Sequence, residues 1–159
     1  MEKQITFVNL STNAITNYLI QINMYVHQST VRVRYAEADP MNVVYYGNYA
    51  QYFEVARVES LRALGISYKT IEEMGIMLPV VELNIKYLRP AKYDDLLTMK
   101  TIIKELPTDH KIQFDQEIYN ESGKLLTIGV VRLYFMDNKL GQRVSMPPLL
   151  AEKLAPFFS

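Results

Sequence analysis

Cysteine is absent from this chain of 159 residues, and histidine occurs only twice, at His27 and His110. The absence of thiols excludes disulfide bonds, a cysteine nucleophile and cysteine-ligated metal centres together. A zinc site would need carboxylates to complete it, but the two histidines lie far apart and no ligand-like spacing surrounds them. The sequence therefore predicts no metal site.

An excess of charge of either sign is also missing, because 17 Lys and Arg residues balance 17 Asp and Glu residues. No net field attracts a polyanion, so nucleic acid is not an expected partner. No stretch approaches the roughly 20 apolar residues that a membrane-spanning helix requires. We therefore expect one globular domain in the cytoplasm, without integral membrane contact.

The first 23 residues differ from the rest, because Asn, Thr, Ser and Gln interrupt every apolar run. This segment lacks the apolar core and the small-residue cleavage site of a signal peptide. Convincing periodicity begins only after Met24, so residues 1–23 are predicted to be an N-terminal extension and residues 24–159 the folded domain. An upstream start codon is one explanation of the extension, and a structural role is the other.

The clearest periodic segment predicts a helix over about residues 48–64. Apolar and small residues recur there at helical spacing and form one stripe. The stripe consists of Tyr49, Tyr52, Phe53, Ala56, Ser60, Ala63 and Leu64, and the other side carries Glu54, Arg57, Glu59 and Arg62. Asn48 is the predicted N-cap, with Gln51 completing a capping box, and Gly65 is predicted to end the helix.

Strands are predicted on both sides of this helix from alternation and turn signals. They cover residues 30–35 before the helix, and residues 76–89, 96–106, 110–119 and 125–136 after it. Short helices are predicted from Ser67 to Met74 and from Pro147 through Leu154. This order predicts an α+β fold, in which an antiparallel sheet of about five strands wraps around one central helix. Oligomerisation is a natural way to bury the remaining surface.

The loop from Asp39 to Tyr49 places a carboxylate shortly before the start of the helix. The first N–H groups of a helix lack internal partners and carry the positive end of its dipole. They can stabilise a developing oxyanion, while a nearby carboxylate acts as a base or a nucleophile. From the residues alone, an ordinary Asp-Pro turn without a catalytic role is the commoner explanation.

The same loop resembles the signature of the 4-hydroxybenzoyl-CoA thioesterase family of hotdog proteins, which includes the Tol–Pal-associated acyl-CoA thioesterases. That signature runs from an Asp through a Gly and a Val to an aromatic-x-Asn-Tyr entry into the central helix. Here these positions are Asp39, Asn42, Val44 and Tyr46–Tyr49. The similarity continues through Phe53–Arg57, Tyr87–Asp95 and Arg132–Phe135, and so spans about residues 30–137.

The resemblance implies a hotdog fold and hydrolysis of acyl-CoA thioesters, in dimers or tetramers with active sites between subunits. By position, Asp39 is the implied catalytic carboxylate, and the backbone N–H of Tyr46 is the implied oxyanion donor. No cofactor is implied, because CoA is part of the substrate, and an acyl carrier protein is a further candidate partner. Asn42 replaces the usual Gly, and Asn tolerates a left-handed backbone, so the loop conformation is expected to survive. Tyr46 replaces the His of the Tol–Pal-associated group.

Other residues near the loop and near a later basic turn are expected to contact the substrate. They are Tyr45, Asn48, Tyr49, Lys86, Arg89 and Lys92. The tyrosines suggest an acyl pocket, and the basic residues suit CoA phosphates, although a solvated turn is an equal alternative. Glu54 and Arg57 are expected to form a structural ion pair or a subunit contact rather than a catalytic pair.

Two other functions compete with hydrolysis. A hotdog module could bind acyl-CoA or acyl carrier protein without hydrolysing it, and this is the main alternative. A hotdog dehydratase would act on hydroxyacyl thioesters, which usually calls for a catalytic His. His27 is predicted in front of the first strand and His110 heads a later one, so neither is expected near the helix.

Overall fold

The computed structural model describes residues 23–159, so the predicted extension lies outside the described residues except for its last position. The elements are β1 (Tyr25–Arg32), α1 (Asn48–Ala63), α2 (Tyr68–Glu73), β2 (Ile76–Met77), β3 (Val80–Tyr87), β4 (Leu96–Ile103), β5 (Lys111–Tyr119), β6 (Leu125–Tyr134), β7 (Met136–Asp137) and α3 (Pro148–Leu154). Single 3-10 turns occupy Tyr35–Glu37 and Ala155–Phe157. Within the described part, no helix is long and apolar enough to cross a membrane.

Five antiparallel strands form the main sheet, in the order β1-β4-β5-β6-β3. The two-residue strands β2 and β7 pair separately. One face of the main sheet packs against α1, and β1 and β4 contact the helix directly. The predicted α+β arrangement of a sheet around one helix is thereby confirmed.

Phe53 is the residue through which α1 approaches the sheet most closely. Its side chain is fully buried, and its ring lies over Gly129 in β6. A Cβ atom at Gly129 would stand 2.2 Å from Cε2 of Phe53, so only glycine leaves room for the ring. Nε2 of Gln116 in β5 donates to the carbonyl oxygen of Phe53 at 2.9 Å. The sheet therefore holds both the ring and the backbone of this residue.

The ends of α1 agree with the prediction, but its N-cap does not. Gly47 is the N-cap residue, and the side chain of Asn48 instead donates to the carbonyl oxygen of Glu37 at 2.9 Å. The predicted capping by Asn48 is wrong because its amide holds the preceding loop. Gly65 follows the helix with a φ of +80°, as expected of a C-terminal stop. Ser67 caps α2 as predicted, accepting from the N–H of Thr70 at 3.0 Å.

One charged residue predicted for the solvent side of α1 is buried. Nε of Arg57 donates to the hydroxyl of Tyr68 at 2.8 Å, and this contact with α2 draws the guanidinium inward. Across residues 23–159, no ion pair joins Arg57 to Glu54, so the first of the two expected roles is wrong, and the alternative of a subunit contact stays a prediction. Ala63, predicted in the buried stripe, is exposed.

The first strand begins five residues earlier than predicted, because β1 pairs with β4 from Tyr25 onwards. The alternation of apolar and polar residues did not reveal this start, because polar His27 and Ser29 lie on the side of β1 that faces α1. His27 is therefore inside the strand and not in front of it. The strand ends at Arg32, because Val33 bonds to the backbone of the turn at residues 94–95.

The long strand predicted at residues 76–89 is divided in two. Its first part, β2, pairs with β7, and its second part, β3, pairs with β6. Pro79 lies between them and has no N–H to continue a ladder. The strands predicted at 96–106, 110–119 and 125–136 are present with shorter ends.

Candidate active site

The loop after β1 folds tightly around Asp39. The N–H of Asp39 donates to the carbonyl of Val43 at 2.9 Å, and the N–H of Asn42 donates to the carbonyl of Asp39 at 2.9 Å. Oδ1 of Asp39 accepts from the N–H of Met41 at 2.8 Å, as in an Asx turn. The second carboxylate oxygen accepts no hydrogen bond from residues 23–159 and is free for chemistry.

Asn42 adopts the left-handed conformation that the sequence predicted for it, with a φ of +60°. Only one other described residue besides glycine does so, Asp94, with a φ of +69°. Asn is tolerated in this region, whereas a β-branched residue is strongly strained. Asn42 therefore supplies the left-handed backbone conformation that this turn requires.

We expect Asn42→Val to reduce both stability and catalysis, and Asn42→Gly to retain both. A valine at this φ should cost about 1–3 kcal/mol of unfolding free energy, and displacement of the carboxylate should lower kcat by about tenfold or more. Asp94→Val is the matched control, since it imposes the same backbone strain outside the loop. Urea unfolding and hydrolysis rates separate the two effects. Equal activity of the two valine variants would contradict a role for Asn42 in placing Asp39.

A cavity of about 290 Å³ opens between this loop and the end of β3. Most of its lining is apolar or aromatic, which suits an acyl group. The lining residues are Asp39, Met41, Val43, Val44, Tyr46, Tyr49, Tyr87, Leu88, Arg89 and Pro90. Asp39, the predicted catalytic residue, and Tyr46, the predicted source of the oxyanion donor, thus line one space.

The N–H of Tyr46 is available to a ligand. Among the residues that the structure describes, this N–H donates to no acceptor, whereas the neighbouring Tyr45 N–H donates to the carbonyl of Glu37. The carbonyl of Tyr46 accepts from the hydroxyl of Tyr87 at 3.1 Å. A free N–H just before a helix, reinforced by the helix dipole, is suited to a developing negative charge.

The turn after β3 forms the second wall of the cavity. Tyr49 is buried, and its hydroxyl accepts from the N–H of Ala91 at 3.0 Å, while the carbonyl of Ala91 accepts from the N–H of Val44 at 2.9 Å. Burial raises the pKa of Tyr49, so the phenol stays neutral. The ring of Tyr87 meets that of Tyr49 edge-on at a centroid distance of 5.3 Å. These contacts fix the turn against the Asp39 loop.

Glu37 is a residue of the site that the sequence did not single out. Its carboxylate is buried and accepts from the N–H of Arg34 at 2.7 Å, from Nε of Arg34 at 2.8 Å and from the hydroxyl of Tyr52 at 2.8 Å. Burial raises the pKa of Glu37, but these hydrogen bonds outweigh it and hold the pKa below its usual value. The sequence feature that could have identified Glu37 is its position two residues before Asp39.

The other predicted substrate contacts are distributed unequally around the cavity. Arg89 lines it, and one guanidinium nitrogen donates to the carbonyl of Leu125 at 2.9 Å. Tyr45 is exposed and stacks on Tyr46 at a centroid distance of 4.4 Å. Lys92 is exposed on the turn beyond the cavity. Lys86 follows the alternation of β3 and lies on the opposite face from Tyr87.

A larger cavity of about 630 Å³ lies beside the loop after β4, on the sheet face that points away from α1. Most of its charged side chains already have polar partners. Lys104 pairs with Asp115 at 2.8 Å, and Arg132 donates to Gln113 at 2.7 Å. Size alone therefore does not identify the functional site, whereas the smaller cavity is lined by both Asp39 and Tyr46.

Comparison with protein families assigns residues 33–154 to the family described as the thioesterase-like superfamily. The chain belongs to the thioesterase-like superfamily. Acyl-CoA thioesterase YbgC of Haemophilus influenzae is 34% identical over 118 residues, which cover 74% of this chain and 85% of that protein. Acyl-CoA thioester hydrolase YbgC of Escherichia coli O6:H1 is 29% identical over 132 residues, covering 82% and 98%.

A solved structure of a DHNA-CoA thioesterase from Staphylococcus aureus has a similar fold. Its TM-score is 0.72 and its sequence identity 34%, over 76% of this chain and 80% of that chain. Membership of the thioesterase-like superfamily and the hotdog fold are therefore confirmed, as is the predicted class of enzyme. These predictions rested on a sequence resemblance whose main motif is the loop from Asp39 to Tyr49, and residues of this loop line the smaller cavity.

Proposed function

We propose that this member of the thioesterase-like superfamily hydrolyses acyl-CoA thioesters, with Asp39 as the catalytic carboxylate and the Tyr46 N–H as the oxyanion donor. One observation carries the proposal. Asp39, whose second carboxylate oxygen accepts no hydrogen bond from residues 23–159, and Tyr46, whose N–H donates to no described acceptor, line the same largely apolar cavity at the start of α1. The relatives named as acyl-CoA thioesterases support the substrate class.

In the proposed reaction, the thioester carbonyl oxygen accepts from the Tyr46 N–H. Asp39 either removes a proton from a water that attacks the carbonyl carbon, or attacks this carbon itself to form an anhydride that water cleaves. In both routes the negative charge grows on the same oxygen, where the N–H stabilises it. In the general-base route the C–S bond then breaks, and the CoA thiolate takes up the proton that Asp39 removed from water. In the anhydride route the C–S bond breaks as the anhydride forms. Water then cleaves the anhydride, which releases the acid and restores the Asp39 carboxylate, and a proton from this water protonates the CoA thiolate.

Arg89 is the basic residue best placed to meet the CoA portion of the substrate, because it already lines the cavity. Its guanidinium can hold phosphate oxygens in a bidentate manner. Lys92 lies farther along the same turn and could contact phosphates outside the cavity. Lys86 could do so only from the other face of β3.

A screen of short, medium, long and aromatic acyl-CoAs, with released thiol as the signal, tests the proposed activity. Hydrolysis of at least one class is expected, together with saturation by that substrate. Tight binding without thiol release at every chain length would contradict hydrolysis and favour a non-catalytic acyl-CoA or acyl carrier protein binding module.

We further propose a homodimer that forms along the free edge of β3. This strand pairs only with β6 within the described residues, and most of its apolar side chains are exposed, as is Leu88 directly after it. The exposed fractions are 49% for Val80, 44% for Val81, 44% for Leu83, 46% for Tyr87 and 39% for Leu88. An open apolar edge is a pairing surface, and two copies meeting antiparallel would bury it in an isologous contact. The partner would then border the cavity, because Tyr87 and Leu88 line it.

Glutamates placed on this edge should separate the subunits. We expect Val81→Glu combined with Leu83→Glu to raise the dimer dissociation constant by about a hundredfold or more, since like charges would face each other across the two-fold axis. Val26→Glu on the opposite edge strand is the control, because Val26 is 39% exposed. Sedimentation equilibrium measures both. A monomeric wild type, or an undisturbed oligomer of the β3 variant, would refute the β3 interface.

A further inference from the structure

Glu37 connects three segments that surround the site. Its carboxylate oxygen Oε2 accepts from the hydroxyl of Tyr52 in α1 and from the backbone N–H of Arg34 at the end of the preceding segment. Its own carbonyl oxygen accepts from the N–H of Tyr45 and from the side chain of Asn48, each at 2.9 Å. A single residue therefore links the entry to the loop, the segment bearing the oxyanion donor and the first turns of the helix.

We infer that Glu37 and Tyr52 form a positioning pair, which fixes the Asp39 loop relative to the Tyr46 N–H and thereby sets the rate of thioester hydrolysis. The inference rests on the proposed function, because it concerns the same site. Neither member of the pair lines the cavity, so neither acts as a catalytic residue.

The chain positions make this pair well placed for such a role. Glu37 precedes Asp39 by two residues, and the N–H that its carbonyl holds belongs to Tyr45, the residue before Tyr46. Tyr52 lies one helical turn after Asn48, so both side chains reach the same segment from one face of α1. A shift at Glu37 would therefore move the carboxylate and the oxyanion donor relative to each other.

Hydrogen bonds to the buried carboxylate of Glu37, whose cationic partner Arg34 is exposed, give a defined geometry more readily than they give stability. Apolar replacements of buried charges are often neutral or stabilising, whereas charge-assisted hydrogen bonds are short and directional. Here the carboxylate of Glu37 is 5% exposed and remains the acceptor of the Tyr52 hydroxyl at 2.8 Å. Burial also raises the pKa of Tyr52, which keeps its hydroxyl protonated as the donor.

The sharpest test deletes one hydroxyl at each end of α1. Tyr52→Phe removes the bond to Glu37, while Tyr25→Phe removes an equally buried bond from Tyr25 to the carbonyl of Ser60 at 2.6 Å, near the other end of the helix. Burial raises the pKa of Tyr25 to about 12, so both phenols are neutral donors. The two variants lose the same group against the same helix, and only one loss lies beside the site.

We expect Tyr52→Phe to lower kcat by about ten- to a hundredfold, since small displacements of reacting groups have effects of this size. KM should stay within about twofold of the wild-type value, and Tyr25→Phe should leave kcat within about twofold. Glu37→Gln, which keeps the size of the side chain, should reproduce the loss in kcat. Equal losses in both phenylalanine variants, no loss in Tyr52→Phe, or a change in KM alone would overturn the inference.

Amide hydrogen exchange at Tyr45 provides a readout that does not depend on turnover. Its N–H is bonded to the carbonyl of Glu37, so exchange should accelerate in Tyr52→Phe and stay unchanged in Tyr25→Phe. If the wild-type chain hydrolyses no acyl-CoA, the proposed function fails, and this exchange alone decides whether the pair positions the loop. Unchanged exchange in Tyr52→Phe would overturn the positioning role in either case.

Discussion

Asp39→Asn is expected to lower kcat for acyl-CoA hydrolysis by about 10²–10⁴-fold, because proton transfer or covalent attack by a carboxylate contributes on this scale. Asparagine keeps the side-chain oxygen that accepts from the N–H of Met41, so the turn should survive. It lacks a carboxylate that can take up a proton or attack the thioester. The thermal unfolding midpoint should therefore remain close to that of the wild type while thiol release falls.

Asp109→Asn is the matched control for this substitution. Oδ1 of Asp109 accepts from the N–H of Lys111 at 2.9 Å, which is the same i to i+2 geometry found at Asp39. Asp109 lines the larger cavity and lies apart from the smaller one. The control should therefore retain full activity. Wild-type rates for Asp39→Asn with every acyl-CoA would show that another group performs the chemistry.

The fate of oxygen from water distinguishes the two routes open to Asp39. In a single turnover in ¹⁸O-labelled water, the anhydride route can place label in the carboxylate of Asp39, because water can attack its carbonyl carbon. Direct attack by water labels only the released acid. Mass spectrometry of the peptide that contains Asp39 records the difference.

Gly129→Ala is expected to produce the largest loss of stability among small substitutions in the core. The added methyl would stand 2.2 Å from Cε2 and 2.7 Å from Cζ of Phe53, whose ring is fully buried where α1 packs on β6. Overpacking of this kind costs about 1–3 kcal/mol of unfolding free energy and sometimes more. Urea unfolding of Gly129→Ala and the wild type measures the loss.

A second substitution shows whether the Phe53 ring causes that loss. Phe53→Leu removes part of the ring and should destabilise the wild type, but it should relieve strain when combined with Gly129→Ala. The double variant is therefore expected to be more stable than the sum of the single effects predicts. Gly47→Ala is a control, because its methyl would meet only the exposed and movable ring of Tyr45. Strict additivity would contradict the steric explanation.

The helix and its loop could be predicted from sequence because their signals are local. The helical periodicity, the glycine that ends the helix and the loop signature all fall between Asp39 and Gly65. The structure places Asp39 and Tyr46 around one cavity. The start of β1 was missed because pairing with β4, which is remote in sequence, determines it. Its helix-facing positions include His27 and Ser29, so apolar alternation alone does not reveal the strand.

Longer-range contacts account for the remaining differences. Arg57 looked like a solvent residue, because the hydroxyl of Tyr68 that draws it inward belongs to another helix. Glu37 looked like an ordinary acidic loop residue, because Tyr52, which binds it, lies fifteen positions away. Only Arg89 of the three predicted basic residues lines the cavity, since strand alternation and the following turn direct Lys86 and Lys92 elsewhere.

The two walls of the cavity carry different kinds of residue, and this separation affects how the substrate preference of such a protein can change in evolution. In the proposed reaction the reacting groups lie on the loop from Asp39 to Tyr46, whereas Leu88 and Pro90 on the turn after β3 line the cavity with apolar side chains. Mutations at those two positions can reshape the space for the acyl group while leaving the proposed catalytic carboxylate and oxyanion donor in place. A lineage that keeps the first wall and varies the second can therefore acquire new substrates without having to rebuild its chemistry.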